Sequence, residues 1–292
     1  MPVAVLLTDP ARPALEAARV EHLRADWGGG EIRWLAPGEA AEIDLPAPPA
    51  ELDAAWSALQ AEGVDLALVP GTGRRKRLLV ADMDSTLIRQ ECIDELAEVA
   101  GVGAHVREIT ARAMNGELDF EGALTERVAL LAGLEQGVID RVLAERITHM
   151  PGGATLAATM RAAGAHTLLV SGGFTAFAEP VAAALGFDEA QANVLEAEAG
   201  RLTGAVRPPI LGRDAKVAAL ERAAARLGIA PQDAIAVGDG ANDLAMLARA
   251  GLGVALHAKP AVQREARIRV NHGDLTALLY LQGYAREAFA VP

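Results

Sequence analysis

Two aspartates one residue apart, Asp82 and Asp84, follow the apolar run Leu78-Leu79-Val80-Ala81. A run of that length and composition reads as a buried strand, and its carboxyl end is where open α/β sheets place reactive groups. The two side chains are expected to diverge along the extended backbone, leaving one to attack a substrate and the other to handle a proton. An isolated D-x-D is as readily a turn or a helix cap, so the pair takes its meaning from other polar sites. Ser171-Gly172-Gly173, after Leu168-Leu169-Val170, offers a hydroxyl and glycine N–H groups suited to holding a phosphate at a helix start. Lys216 falls early on the following helix, where the dipole disfavours a cation unless an anion lies close. Gly238-Asp239-Gly240-Ala241-Asn242-Asp243, after Ala234-Ile235-Ala236-Val237, gathers two carboxylates and an amide oxygen among glycines, a donor set for a hard cation of the magnesium type. Each of these has an ordinary alternative: a strand-to-helix turn, a solvated lysine, a glycine turn.

The elements that must position these groups alternate in a regular way. Apolar runs at Leu78–Ala81, Thr167–Val170, Ala234–Val237 and Leu252–Leu256 are separated by helical stretches that stop at Gly164, Gly186, Gly228 and Gly251. That rhythm predicts an α/β fold with a doubly wound parallel sheet. Asn193 to Val206 alternates about Gly200-Arg201 and predicts a β-hairpin. Residues 89–149 contain no convincing strand and divide into helices at Ile93–Val99, Ala104–Met114, Phe120–Leu131 and Gly137–Ile147. An insertion of that size between a strand and the next element is expected to be a helical cap over the strand ends. On its third helix Phe120, Leu124, Arg127 and Leu131 share one stripe, so a guanidinium lies along an otherwise apolar face and calls for an anion such as a carboxylate, or else snorkels from the edge. Glu91 can pair with an ammonium, or belong to a solvated acidic face with Glu95 and Glu98.

Residues 1–73 have their own order: strand Val3–Thr8, helix Ala14–Trp27, strands Glu31–Leu35 and Ala41–Leu45, helix Glu51–Glu62, strand Asp65–Val69. This βαββαβ sequence predicts a small ferredoxin-like domain, a topology shared with ligand-binding domains of the ACT type. A second domain then spans 74–292. The junction Arg74-Arg75-Lys76-Arg77 is read as a solvated linker, with a localisation or phosphate-binding patch as the alternative.

Composition limits the partners. A formal net charge of −12 argues against non-specific nucleic-acid binding and against an anionic membrane surface, and no apolar stretch is long enough to span a bilayer. Cys92 is the only cysteine, so no internal disulfide forms and a cysteine-based zinc site is not expected. With an N-terminus that reads as a strand, these features predict a soluble cytoplasmic protein acting on a small molecule, with a homodimer as one assembly open to it.

The ordered set D-x-D-x-T, S-G-G, K and G-D-x-x-N-D over residues 77–280 resembles the haloacid dehalogenase-like phosphohydrolase superfamily. The second aspartate, Asp84, is similar to that of its phosphatases and mutases. Glu91, Met114-Asn115-Gly116, Phe120, Arg127-Val128 and His257-Ala258-Lys259-Pro260 look like the phosphoserine phosphatase branch. The resemblance implies magnesium-dependent hydrolysis of O-phospho-L-serine through an aspartyl-phosphate. It implies Asp82 as nucleophile and Asp84 as general acid and base. The metal would be held by the Asp82 and Asp239 side chains and the Asp84 carbonyl, with Asp243 behind them or reaching it through water. Ser171, Gly172 and Lys216 would hold the phosphoryl oxygens, and Asn242 would orient the substrate or Lys216. Arg127 would take the substrate carboxylate and Glu91 its ammonium, and Phe120 and Met114 would close an apolar lid. Two other functions stay open: a phosphatase or phosphotransferase for another small phosphomonoester, and a regulatory binding protein on a retired phosphatase fold.

Overall fold

In the computed structural model, which describes residues 1–114 and 117–292 and of Met114 the backbone only, the strands form two sheets. The first is built from β1 (Pro2–Leu7), α1 (Ala17–Asp26), β2 (Ile32–Ala36), β3 (Ala40–Asp44), α2 (Leu52–Ala61) and β4 (Asp65–Pro70). Its strands lie antiparallel in the order β2-β3-β1-β4. Alternation along the strands divides their burial. Ala4, Leu6, Ile43 and Leu66 pack with Val20, Leu23 and Leu59 of the two helices, whereas Val3, Val5, Leu7, Ala40, Ala67 and Val69 join the core of the rest of the chain. An antiparallel sheet of this kind often leaves one face to water; here both faces are covered.

After it come β5 (Leu78–Ala81), the inserted helices α3 (Cys92–Val99), α4 (Gly103–Met114), α5 (Phe120–Ala129) and α6 (Val138–Glu145), then α7 (Gly153–Ala162), β6 (His166–Phe174) and α8 (Thr175–Leu185). The chain continues through β7 (Glu189–Glu198), β8 (Arg201–Arg207), α9 (Arg213–Leu227), β9 (Ala234–Gly238), α10 (Leu244–Arg249), β10 (Leu252–Leu256), α11 (Pro260–Glu265), β11 (Ile268–Val270) and α12 (Ala277–Leu281). The second sheet runs β11-β10-β9-β5-β6-β7-β8, parallel except for the β7–β8 hairpin. From β5 the chain builds β6, β7 and β8 to one side and then returns to β9 on the other. Adjacent β5 and β9 therefore mark the switch point at which a crevice opens beyond the strand ends. All four β5 residues are buried, with Leu79 and Ala81 in one apolar cluster and Leu78 and Val80 in the other, as a strand covered on both faces requires.

The insertion leaves and re-enters the core through a narrow hinge. Ile88 and His149 form an antiparallel bridge, and Gln90 ties down Thr148 through its N–H and hydroxyl. Its far side is fastened to the β7–β8 hairpin, where Gly133 N–H donates to Leu202 O, Leu202 N–H to Leu134 O and Gln136 N–H to Gly200 O.

Two expectations are corrected. Ser171-Gly172-Gly173 does not begin a helix: β6 continues to Phe174, which pairs with Asn193 after a register shift, and α8 starts only at Thr175. The basic junction is not a solvated linker either. The Arg74 guanidinium is buried against Glu42, the Lys76 ammonium donates to the Gly73 and Gln232 carbonyls, and Arg75 lies over the Tyr284 ring. The physical reason is that the covered face of the first sheet carries buried carboxylates: Glu42 meets Arg74 and Arg33, and Glu39 meets Arg286 and the Tyr280 hydroxyl. Removing one member of a buried pair leaves the other charge uncompensated, at a cost of about 3 kcal/mol. Glu42→Ala should therefore lower unfolding stability by about 3 kcal/mol in a urea titration; a change below about 0.5 kcal/mol, the range of an ordinary surface substitution, would show that the pair does not hold the two sheets together.

Candidate active site

Beyond the ends of β5, β6 and β9, and under the cap, lies a cavity of about 460 Å³ lined by residues of both sheet and insertion. Asp82 and Asp84 both line it, with Met83 between them fully buried. The expected divergence of the two carboxylates is not what occurs, because residues two apart on extended backbone share a face. Both can act on one bound molecule.

Asp82 follows β5, Asp239 and Asp243 follow β9, and each can bring one carboxylate oxygen into a group whose members lie within 4.8 Å of one another. Lys216, on the first turn of α9, enters this group from the side. Its ammonium stands 2.7 Å from Asp82 Oδ1 and 2.6 Å from Asp243 Oδ1, with only 2% of the side chain exposed. That contact explains a cation at a helix start. Asp243 Oδ2 also accepts from Gly240 N–H, so both of its oxygens are engaged. The expectation that Asn242 orients Lys216 is corrected: Asp82 and Asp243 hold the lysine, and Asn242 lines the cavity wall. Burial and the neighbouring Asp243 push the Asp82 carboxyl well above its ordinary range, with Lys216 opposing them. Burial likewise lifts Asp239 to about 6.

Asp84 sits across the cavity floor and accepts from the Cys92 N–H at 3.2 Å. Its carboxyl is raised to about 7, by burial first and by the Glu91 carboxylate second. The Ser171 hydroxyl is buried beside it and accepts from Gly173 N–H at 2.8 Å. Phe120, at the start of α5, reaches down onto this end of β6. A Cβ on Gly172 would lie 3.0 Å from the Phe120 ring and one on Gly212 3.3 Å from it, so glycine at both positions permits the lid to sit this low.

Arg127 lines the upper wall. Its Nε donates to the Ala123 carbonyl, and among the described residues it forms no ion pair; Asp94, Glu91 and Asp84 are the acidic groups that act on it. Glu91 lies in the same wall and accepts from the Ser85 hydroxyl at 2.9 Å. The acidic face considered for Glu91 dissolves, since Glu95 pairs with Arg146 and Glu98 with Arg107. The Met114 side chain lies outside the described residues.

Residues given no role of their own in the sequence analysis also matter. Asn193 donates to the Gly172 and Leu211 carbonyls and accepts from Leu211 N–H, which staples the serine-glycine end of β6 to the approach of α9. The alternation that placed it at a hairpin start gave no sign of this. Thr86 is buried with its hydroxyl 3.5 Å from Asp239 Oδ1. Lys259 and Arg213 bring two more cations to the cavity wall. No described helix is long and apolar enough to cross a membrane.

A family model for haloacid dehalogenase-like hydrolases matches residues 79–248, the stretch that holds Asp82 through Asp243. The chain is 50% identical over 228 residues to the phosphoserine phosphatase of Streptomyces coelicolor, a match covering 77% of this chain and 55% of that protein. It is 48% identical over 204 residues to the phosphoserine phosphatase of Haemophilus influenzae, covering 70% of this chain and 65% of the other. The chain thus spans somewhat over half the length of the first relative and about two thirds of the second. A crystal structure of a HAD family hydrolase from Salmonella enterica serovar Typhi superposes with a TM-score of 0.85 at 30% identity, covering 96% of this chain and 98% of that one. The carboxylates, lysine and serine gathered at the sheet's switch point, and the family model that spans them, place this chain in the haloacid dehalogenase-like hydrolase family.

Proposed function

We propose that this protein hydrolyses O-phospho-L-serine to L-serine and phosphate through a phosphoryl group carried on Asp82. The observation that carries the substrate is the presence of both Arg127 and Glu91 in the upper wall, above the Asp82–Asp84 floor. A guanidinium with no ion-pair partner among the described residues and a carboxylate beside it are complementary to the carboxylate and ammonium of an amino acid. The names borne by the Streptomyces and Haemophilus relatives agree with this reading. It is favoured over a generic phosphomonoester, which needs neither group, and over a retired site, which has no reason to keep Lys216 buried between two aspartates.

The donor set fits a divalent cation. Asp82, Asp239 and Asp243 crowd their oxygens within 4.8 Å, with Lys216 as the cation buried among them, and two of the three carboxyls are raised in pKa by that crowding and burial. Asp82, Asp239 and the Asp84 carbonyl would hold the ion, which we take to be Mg2+, with Asp243 fixing Lys216 at its side. When bound, it would neutralise the charge on Asp82 and on the phosphoryl oxygens so that two anions can meet. Asp82 then attacks phosphorus in line as the serine oxygen leaves. Ser171 Oγ–H, the Gly172 N–H and Lys216 hold the equatorial oxygens, where most of the stabilisation of a phosphoryl transfer is needed. Asp84, protonated through much of the range up to about pH 7, gives its proton to the leaving oxygen and later takes one from the water that cleaves the intermediate. Phe120 and the apolar wall of Ile93 and Leu124 keep other water out. Asn242 lies where it can orient the bound phosphate. We assign residues 1–73 and 74–292 to two domains, supported by their separate sheets, and place the protein in the cytoplasm, supported by its single buried free cysteine.

Phosphate release from O-phospho-L-serine in magnesium buffer tests the reaction: Asp82→Asn should abolish it, and undiminished turnover would remove Asp82 as nucleophile. Arg127→Ala should lose a charge-assisted contact of about 1.5–3 kcal/mol, or roughly 10- to 100-fold in kcat/KM for phosphoserine, with little change on an aryl phosphate. An equal loss on both substrates would take the carboxylate role from Arg127.

The raised carboxyls also make a prediction about stability. The folded chain keeps protons on Asp84 and Asp239, raised to about 7 and about 6, that the unfolded chain has released near pH 4, so these two groups stabilise the fold most at low pH and lose that contribution as pH rises toward 7. In chelator, the melting temperature should fall between pH 5.5 and 7.5. Magnesium should raise it more at 7.5, where it has fewer protons to displace. Asp239→Asn should flatten both responses; a magnesium effect unchanged in that variant would rule out Asp239 as a ligand.

A further inference from the structure

Asp65 opens β4 in the first sheet, is fully buried, and lies outside the catalytic cavity. Its carboxylate accepts from the backbone N–H groups of Asn271, His272 and Gly273, each at 2.9 Å, and from Gln60 Nε2 at 2.9 Å. Three successive N–H groups converging on one carboxylate form an anion nest. Here the first sheet supplies the anion and the segment after β11 supplies the nest.

The same segment grips a loop of the active site. The Gly273 carbonyl accepts from His257 Nε2 at 2.8 Å, which places the ring proton on that nitrogen, and the Val270 carbonyl accepts from His257 N–H at 2.8 Å. Asn271 Nδ2 donates to Gln60 Oε1 and to Gln263 Oε1, and Gln263 Nε2 in turn donates to the Ala258 carbonyl. His257 has a φ of 46°, a left-handed conformation that is unfavourable for a side-chain-bearing residue and persists where neighbours impose it. Two residues on, Lys259 N–H donates to the Asp239 carbonyl at 3.3 Å, and its ammonium stands 3.9 Å from Asp239 Oδ2 in the cavity wall.

From these contacts we infer that Asp65 and His257 are positioning residues for the active site: through residues 271–273 and the left-handed turn they set where Lys259 stands beside Asp239 and the incoming phosphate. The inference rests on the proposed reading only in taking the cavity to bind a phosphate group. Lys259 itself supplies positive charge at the cavity wall, where a dianion must approach several carboxylates, so its loss acts on phosphate binding more than on the chemical step. The first sheet is then part of the scaffold of the catalytic cavity and is not merely attached to it.

A double-mutant cycle on the full chain with magnesium tests this. Lys259→Ala should weaken both the KM for O-phospho-L-serine and the calorimetric Kd for inorganic phosphate by about 10-fold, the size of one charge-assisted contact, with kcat changed less. Asp65→Asn and His257→Phe should shift both in the same direction. The carrying result is non-additivity: Asp65→Asn added to Lys259→Ala should cost nothing further, whereas Asp65→Asn and Arg127→Ala should multiply. Multiplication of Asp65→Asn with Lys259→Ala, or a lowered melting temperature in Asp65→Asn with phosphate affinity intact, would overturn the proposal and leave Asp65 a purely structural residue. If Asp65→Asn does not fold, the cycle of His257→Phe with Lys259→Ala discriminates in the same way. Should phosphoserine prove not to be the substrate, the phosphate Kd still decides the positioning claim.

Discussion

Gathering like charges in a buried place is the constraint around which this molecule is built. Asp82, Asp239 and Asp243 stand within 4.8 Å of one another, and carboxylates so placed repel and lose their hydration. Lys216 offsets part of this from a position 2.7 Å and 2.6 Å from two of them. The remainder is expressed as carboxyls raised in pKa, and leaves a donor set that could hold a cation. No short segment could hold such a group against its own repulsion. Three parts of the chain do so because each charge follows or begins a rigid element: β5, β9, and the first turn of α9, with residues 240–243 tied down by the bond from Gly240 N–H to Asp243 Oδ2.

The cap answers a different need. On the proposed reading the floor of the cavity would serve any phosphomonoester, while Arg127 on α5 and Glu91 just before α3 stand above it, where they would read the rest of a substrate. For that reading to be specific the cap must keep its distance from the floor. A two-stranded hinge at Ile88 and His149, the fastening of residues 133–136 to the hairpin, and the seat of Phe120 on Gly172 and Gly212 together set it.

The first sheet is joined to the catalytic one by charge as well as by apolar packing. Glu39, Glu42 and Asp65 are buried on or beside its inner face, and each is met by groups from beyond residue 73: Tyr280 and Arg286, Arg74, and the nest at 271–273. Buried carboxylates of this kind add little net stability over apolar contacts but penalise every misaligned docking, since each would be left unpaired. The arrangement therefore fixes the orientation of one sheet on the other more than it adds to their attraction.

Much of this was legible in order along the chain. Glycine-stopped helices between apolar runs specified the parallel sheet, and helical periodicity in the insertion specified the cap, because local propensity and burial pattern act over a few residues. The polar sites Asp82, Asp84, Ser171, Lys216 and Asp239 were legible because chemistry restricts residue types and strand ends restrict their place. The sequence alone did not show that Asp82 and Asp84 share a cavity with Arg127, that Lys216 is clamped by Asp243 and not by Asn242, or that Arg74 and Lys76 are buried. Nor did it show that Asn193 and Asp65 hold loops far from them in sequence. These are distances between residues brought together across the fold, and they depend on which faces of the elements meet. That is a property of packing, which tertiary structure alone decides.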